Sequence, residues 1–106
     1  MRNANQFSDE VFGFHVQQAI EKSLKAWMAV RHLKYPRSHD LGILIKILEE
    51  AGEDLSIFPD LEDYTSFAVQ YRYEAYDETD ELNREDAINK ASALLAQVKK
   101  ILDNAT

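Results

Sequence analysis

Apolar and polar positions recur along this chain with the period of a helix, not that of a strand. From Ser8 to Leu33, the residues Phe12, Val16, Ile20, Leu24 and Trp27 return at intervals of three and four, while His15, Gln18, Lys22 and Lys25 form a separate polar line. At about 3.6 residues per turn these are two faces of one helix. Ser8 is a candidate cap, with Asp9 and Glu10 at the positive helix end. Tyr35-Pro36 is a stop, because the residue before proline disfavours helical angles. Ser38 is a candidate cap for a second helix, whose Leu41, Leu44, Ile45 and Leu48 follow the i, i+3, i+4, i+7 rule and which Gly52 ends. Pro59 suits the first turn of a third helix carrying Leu61, Tyr64, Ala68, Tyr71 and Ala75 on one face. The acidic run Asp77-Glu78-Thr79-Asp80-Glu81 reads as a connector. Asn83 then caps a fourth helix with Ala87, Ile88, Ala91, Leu94, Leu95, Val98 and Leu102 inward. The pattern predicts an all-α fold, an antiparallel four-helix up-and-down bundle. One domain spans residues 1–106, with about residues 1–7 as an extended or disordered arm.

Composition agrees with few, long elements. Three glycines and two prolines leave few places to turn, and 106 residues suffice for one domain but not two. The absence of cysteine excludes disulfides and thiolate-bound metals. No apolar run reaches the roughly 18 residues of a membrane span, and the first residues lack the apolar centre of a secretory signal. The expectation is a soluble, cytoplasmic protein with no membrane partner.

Charge changes the picture more. A net charge of −7 argues against broad affinity for nucleic acid, whose phosphates need cations. Its distribution is uneven. Lys22, Lys25, Arg31, Lys34, Arg37 and Lys46 face one acid, Asp40, in the stretch from Lys22 to Lys46, whereas the stretch from Glu49 to Asp86 is strongly acidic, with Arg72 and Arg84 as its only cations. A locally basic surface on an acidic protein is one reading, two solvated faces another. An acidic surface of one subunit meeting a basic surface of the next is a third.

Three stretches carry a family likeness. They are Phe14-His15-Val16-Gln17-Gln18-Ala19-Ile20-Glu21-Lys22-Ser23-Leu24-Lys25-Ala26, then Ser38-His39-Asp40-Leu41, then Tyr71-Arg72-Tyr73-Glu74-Ala75-Tyr76. Together, from about Phe12 to Leu102, they resemble the HEPN family (higher eukaryotes and prokaryotes nucleotide-binding domain), in a short form lacking the family's usual first helix. The surface which that helix would cover must then be covered otherwise or remain apolar, and Val11, Phe14, Val30 and Leu33 could form it. The resemblance implies a two-fold homodimer, in which both copies bury the same patch.

The resemblance also implies a chemistry to look for. Many HEPN proteins are metal-independent endoribonucleases with an arginine followed four to six residues later by a histidine. The histidine serves as acid or base, and the arginine stabilises charge on the phosphate. Arg72 matches the arginine, but Tyr76, Asp77 and Glu78 stand where the histidine belongs, and no histidine follows His39. A nuclease would need His39 from a partner subunit beside Arg72. His39 is placed in the first turn of the second helix, where the helix dipole disfavours imidazolium. The alternative is a structural histidine bonded to nearby backbone, and His15 and His32 share that alternative. The three histidines lack helical pairing with one another, so neither a metal site nor a cofactor is expected.

Lys22 and Lys25 are candidate phosphate contacts on one helix face. Arg72 could make a bidentate contact to the same anion, and Tyr73 or Tyr76 could stack on a base. The plainer reading has Lys25 paired with Glu21 at i, i+4. Trp27 and the phenylalanines read as core. Three functions follow. The leading one is a HEPN-type dimer that binds nucleotide, RNA or protein through Lys22, Lys25, His39, Arg72, Tyr73 and Tyr76. As the resemblance implies, it would partner a minimal nucleotidyltransferase in a toxin–antitoxin-like system. The others are an endoribonuclease using Arg72 and His39, and a purely structural dimer.

Overall fold

The structure, a computed structural model, describes residues 4–69 and 83–105, with side chains over 11–65 and 83–104. Among the described residues there are three α-helices and one 3₁₀ helix: α1 (Ala4–Val30), α2 (Leu41–Glu50), the 3₁₀ helix (Leu61–Val69) and α3 (Arg84–Ala105). The described elements are all helical, three α-helices and one 3₁₀ helix where the sequence predicts four α-helices, the predicted third running on into residues outside the described ones. α1 packs against each of the other elements, and α2 also packs on the 3₁₀ helix. With 27 residues, α1 is about 40 Å long at 1.5 Å per residue. It accounts for the elongated shape, 52 × 23 × 20 Å.

The apolar stripe of α1 is the floor of the core. Val16, Ile20, Leu24, Trp27 and Met28 are buried there, with Phe12 packed at the edge. Leu41, Leu44 and Leu48 of α2, Leu55, Phe58, Leu61 and Tyr64 of the following segment, and Ala87, Leu94, Val98 and Ile101 of α3 close over it. Trp27 and Phe58 meet edge to face, with ring centroids 6.3 Å apart, which confirms both as core residues.

Several predicted boundaries move. α1 is already helical at Ala4, so Ser8 lies inside it and the expected arm is helical from that point; no glycine or proline interrupts residues 4–8. The same helix stops at Val30, short of Leu33. The chain leaves it through His32 in the left-handed region (φ 61°), with Leu33 N bonded to Met28 O (2.9 Å) and His32 N to Ala29 O (3.0 Å). This bond pair is a Schellman stop with histidine where glycine is usual. α2 ends the same way on Gly52 (φ 96°), with Glu53 N to Leu48 O and Gly52 N to Glu49 O, both 3.0 Å. Its turn delivers Glu53 to the end of α1, where Oε1 accepts from Trp27 Nε1 (2.8 Å) and Arg31 Nε (2.9 Å). Those bonds, the Trp27 bond foremost, hold the Glu53 carboxyl below its ordinary 4.5.

The cap of α2 is Asp40 and not Ser38: Asp40 Oδ1 accepts from Gly42 N (2.9 Å), while Ser38 Oγ accepts from Asp40 N one step earlier (3.0 Å). The third element is a 3₁₀ helix beginning after Pro59. Asp60 takes a left-handed angle (φ 67°) and resets the chain, and the buried pair Leu61 and Tyr64 repeats every three residues, as a three-per-turn helix requires. Tyr71 and Ala75, placed on the same face by the sequence, and the acidic run 77–81 lie outside the described residues.

Asn83 does cap α3, its Oδ1 accepting from Asp86 N (2.9 Å). The buried face of α3 is narrower than predicted. Ile101, not foreseen, is buried, whereas Ile88, Leu95 and Leu102 are 50%, 59% and 43% exposed. Buried positions 87, 94, 98 and 101, with half-buried 91, form a seam of alternating fours and threes, because α3 meets the core on one side. Of the apolar surface expected on α1, only Val11 is substantially exposed; Val30 and Leu33 pack against the core, and Phe14 is half-buried.

The two helix stops generate opposite expectations. His32→Gly should raise stability by about 0.5–1 kcal/mol, since glycine accepts the left-handed angle without strain. Gly52→Ala should lower it by about 1 kcal/mol; a methyl there meets nothing within 4 Å, so the whole cost is backbone. Urea denaturation of the two variants checks both signs.

Candidate functional site

On a helical wheel Gln17 and Glu21 bracket Met28 at the flank of the α1 stripe, so helix phase carries two polar side chains into the interior. Gln17 is fully buried and Glu21 is 6% exposed. Their polar atoms are all used. Glu21 Oε1 accepts from Gln17 Nε2 (3.0 Å) and from His39 Nδ1 (2.9 Å), and Oε2 accepts from Lys25 Nζ (2.8 Å). Gln17 Nε2 donates also to the backbone carbonyl of His39 (3.1 Å), and its Oε1 accepts from Gln18 Nε2 (2.8 Å). No buried side-chain nitrogen or oxygen lacks a partner among the described residues.

Glu21 is therefore a buried carboxylate with three donors from two parts of the chain. Burial pushes its pKa up. The hydrogen bonds from Lys25, His39 and Gln17, with the charge of Lys25, outweigh burial and leave the group below its ordinary 4.5. It is ionised at neutral pH and accepts only. His39 must accordingly donate from Nδ1, and Nε2 has no partner among the described residues.

The position of His39 differs from the prediction. It stands before Asp40, outside the first turn of α2, and its ring bonds a carboxylate of α1 instead of local backbone. The side chain is nevertheless 68% exposed. A buried acid thus grips one edge of an imidazole whose other edge meets solvent.

Lys25 follows the plainer reading: it pairs with Glu21 and lies over the ring of Tyr35, 5.4 Å from its centroid. Lys22 is exposed on the next position of the helix. His15 is exposed, edge-on to Phe14 at 5.8 Å. Arg72, Tyr73 and Tyr76 lie outside the described residues, so the structure brings together Lys25 and His39 of the six candidates. Gln17 and Glu21 were not foreseen as site residues. The signal that could have found them is their wheel position beside Met28.

The start of α2 is closed as an anion site. Leu41 N donates to Thr65 Oγ1 (3.0 Å), Gly42 N to the Asp40 carboxylate and Ile43 N to Asp40 O (3.2 Å), so its first amides are occupied. No group of three or more His, Asp or Glu side chains capable of holding a metal occurs among the described residues. No described helix is long and apolar enough to cross a membrane.

A family model described as HEPN domain matches residues 5–101, nearly the whole chain. Searches of curated proteins and of solved structures return no match.

Removal of the carboxylate tests the site's construction. Glu21→Ala should cost about 1–3 kcal/mol at neutral pH, because Gln17, with no route to water, loses an acceptor. The stabilisation from a depressed carboxyl is complete above the unfolded value and is lost as pH falls from about 4.5 toward the folded value. The stability gap between wild type and variant should thus narrow in that acid window. A gap that stays constant as the solution is acidified would contradict the network.

Proposed function

This chain belongs to the HEPN family, and from that premise we propose that it is a helical recognition module that binds a nucleotide or RNA. The observation that carries this reading is the exposed His39 ring held from behind by the buried Glu21 carboxylate. Buried charge is costly, and replacing such a network by apolar side chains is often neutral or stabilising. Its presence here serves the orientation of a solvent-facing group. Lys22 and the basic stretch to Lys46 surround that group in sequence, and Arg72, Tyr73 and Tyr76 complete the proposed surface. The likeness to HEPN proteins supports a partner role beside a minimal nucleotidyltransferase in a toxin–antitoxin-like system, with the partner supplying the nucleotide chemistry.

The module is proposed to act as a homodimer. Ile88, Leu95 and Leu102 are exposed and seven residues apart, so they form one line along α3. Such a line is self-complementary about a two-fold axis through Leu95.

A second reading, an endoribonuclease with His39 as acid or base beside Arg72, draws support from the same exposed ring, since Nδ1–H on Glu21 leaves the lone pair of a neutral imidazole on Nε2. It requires Arg72 of one subunit to reach His39 of the other.

Three measurements sort these readings. A nucleotide present at about 100 times its dissociation constant should stabilise the protein by roughly 2.7 kcal/mol in thermal unfolding; no shift with any nucleotide or RNA speaks against recognition. Incubation with mixed RNA should leave it intact, whereas cleavage abolished by Arg72→Ala would establish the enzyme. Leu95→Glu should convert a dimer to a folded monomer in sedimentation velocity, and an unchanged sedimentation coefficient would remove α3 from the interface.

A further inference from the structure

We propose that His39 is the phosphate contact of the ligand surface, with Glu21 and Gln17 as its positioning residues; this rests on the recognition reading above. His39 is fixed at two points, its carbonyl by Gln17 (3.1 Å) and its ring by Glu21 (2.9 Å). Both positioning side chains are buried, while the ring they hold is 68% exposed. Most of the ring is left in solvent, and Nε2 has no partner among the described residues.

Charge selects the ligand. Lys25 already balances Glu21, so this pair sets no net negative charge against an approaching anion. A phosphate oxygen is met at Nε2 only by the doubly protonated ring. There Nδ1–H stays on Glu21, and the second proton, brought with the anion, makes Nε2–H a charge-assisted donor. Asp40, the next residue, keeps its negative charge while capping Gly42 N, and the exposed Lys22 of α1 is a cation available to offset it. The amides at the start of α2 are occupied, so the anion must be met by side chains. The phosphate belongs either to a free nucleotide or to an RNA backbone; the chemistry at Nε2 is the same.

His39→Asn separates contact from construction. The asparagine amide nitrogen falls close to the position of Nδ1 and keeps the bond to Glu21, but nothing replaces Nε2. The full chain and the variant are titrated with a fluorescently labelled single-stranded RNA, with AMP as competitor, and both are melted. The expected result is an unchanged melting temperature with RNA binding weakened roughly tenfold or more, as for loss of a hydrogen bond to a charged group. Displacement of RNA by AMP assigns the site to a nucleotide phosphate, and no displacement assigns it to the RNA backbone. Equal binding by a folded variant overturns the phosphate contact while leaving the recognition reading intact. Failure of the wild type to bind either probe overturns both. Should the variant not fold, the ¹⁵N resonance of His39 Nε2 in the wild type decides: it shifts on addition of RNA or AMP if the contact exists, and a resonance unmoved by a bound probe overturns it.

Discussion

The interior charge of Glu21 is the constraint around which this small protein is arranged. A carboxylate that is 6% exposed survives ionised only if donors surround it, and here they come from α1 itself, through Gln17 and Lys25, and from His39 ahead of α2. The bond from His39 ties the loop after α1 back onto the helix it left. It therefore fixes the approach of the chain to α2 and which ring nitrogen of His39 is engaged. A single buried group sets both architecture and surface chemistry.

The helix ends do the remaining alignment. Two Schellman stops, one on His32 and one on Gly52, turn the chain after α1 and after α2. The second places Glu53 against Trp27 and Arg31, so the far end of α1 is also held by a carboxylate. Lys90 of α3 pairs with Asp86 (3.0 Å), reaches toward Asp60 (3.9 Å) and lies over Tyr64, linking the last helix to the start of the 3₁₀ segment. α1 is thus pinned at several levels, while its solvent line keeps His15 and Lys22 free of the core.

In the proposed recognition surface, holding and contact fall to different residues. Glu21 and Gln17 hold; the exposed edge of His39 is what they hold. An acid–base reaction on a phosphodiester needs a second group to stabilise developing charge. The sequence holds Arg72 with no histidine four to six residues after it. Recognition makes fewer demands: one oriented donor, nearby cations and a stacking surface.

Much of the fold was legible in the sequence because periodicity is a local property. The core stripe from Val16 to Trp27, the leucines of α2, the stop at Gly52 and the cap at Asn83 all follow from spacing and turn chemistry. The family likeness was legible from the same stretches, and its model covers residues 5–101. Choices between locally equivalent options were not legible. Ser38 and Asp40 can each cap a helix, and Asp40 wins because its carboxylate meets Gly42 N while Thr65, distant in sequence, takes Leu41 N. Leu95 and Ile101 are equally apolar, and only the angle at which α3 meets α1 decides which is buried. The site depends on the same kind of information. Sequence places Glu21 beside Lys25, but the meeting of Glu21 with His39, eighteen residues on, requires the loop to fold back. Patterns of spacing determine helices and their faces; contacts between elements, where charge burial and hydrogen bonding compete, are decided only once those faces pack.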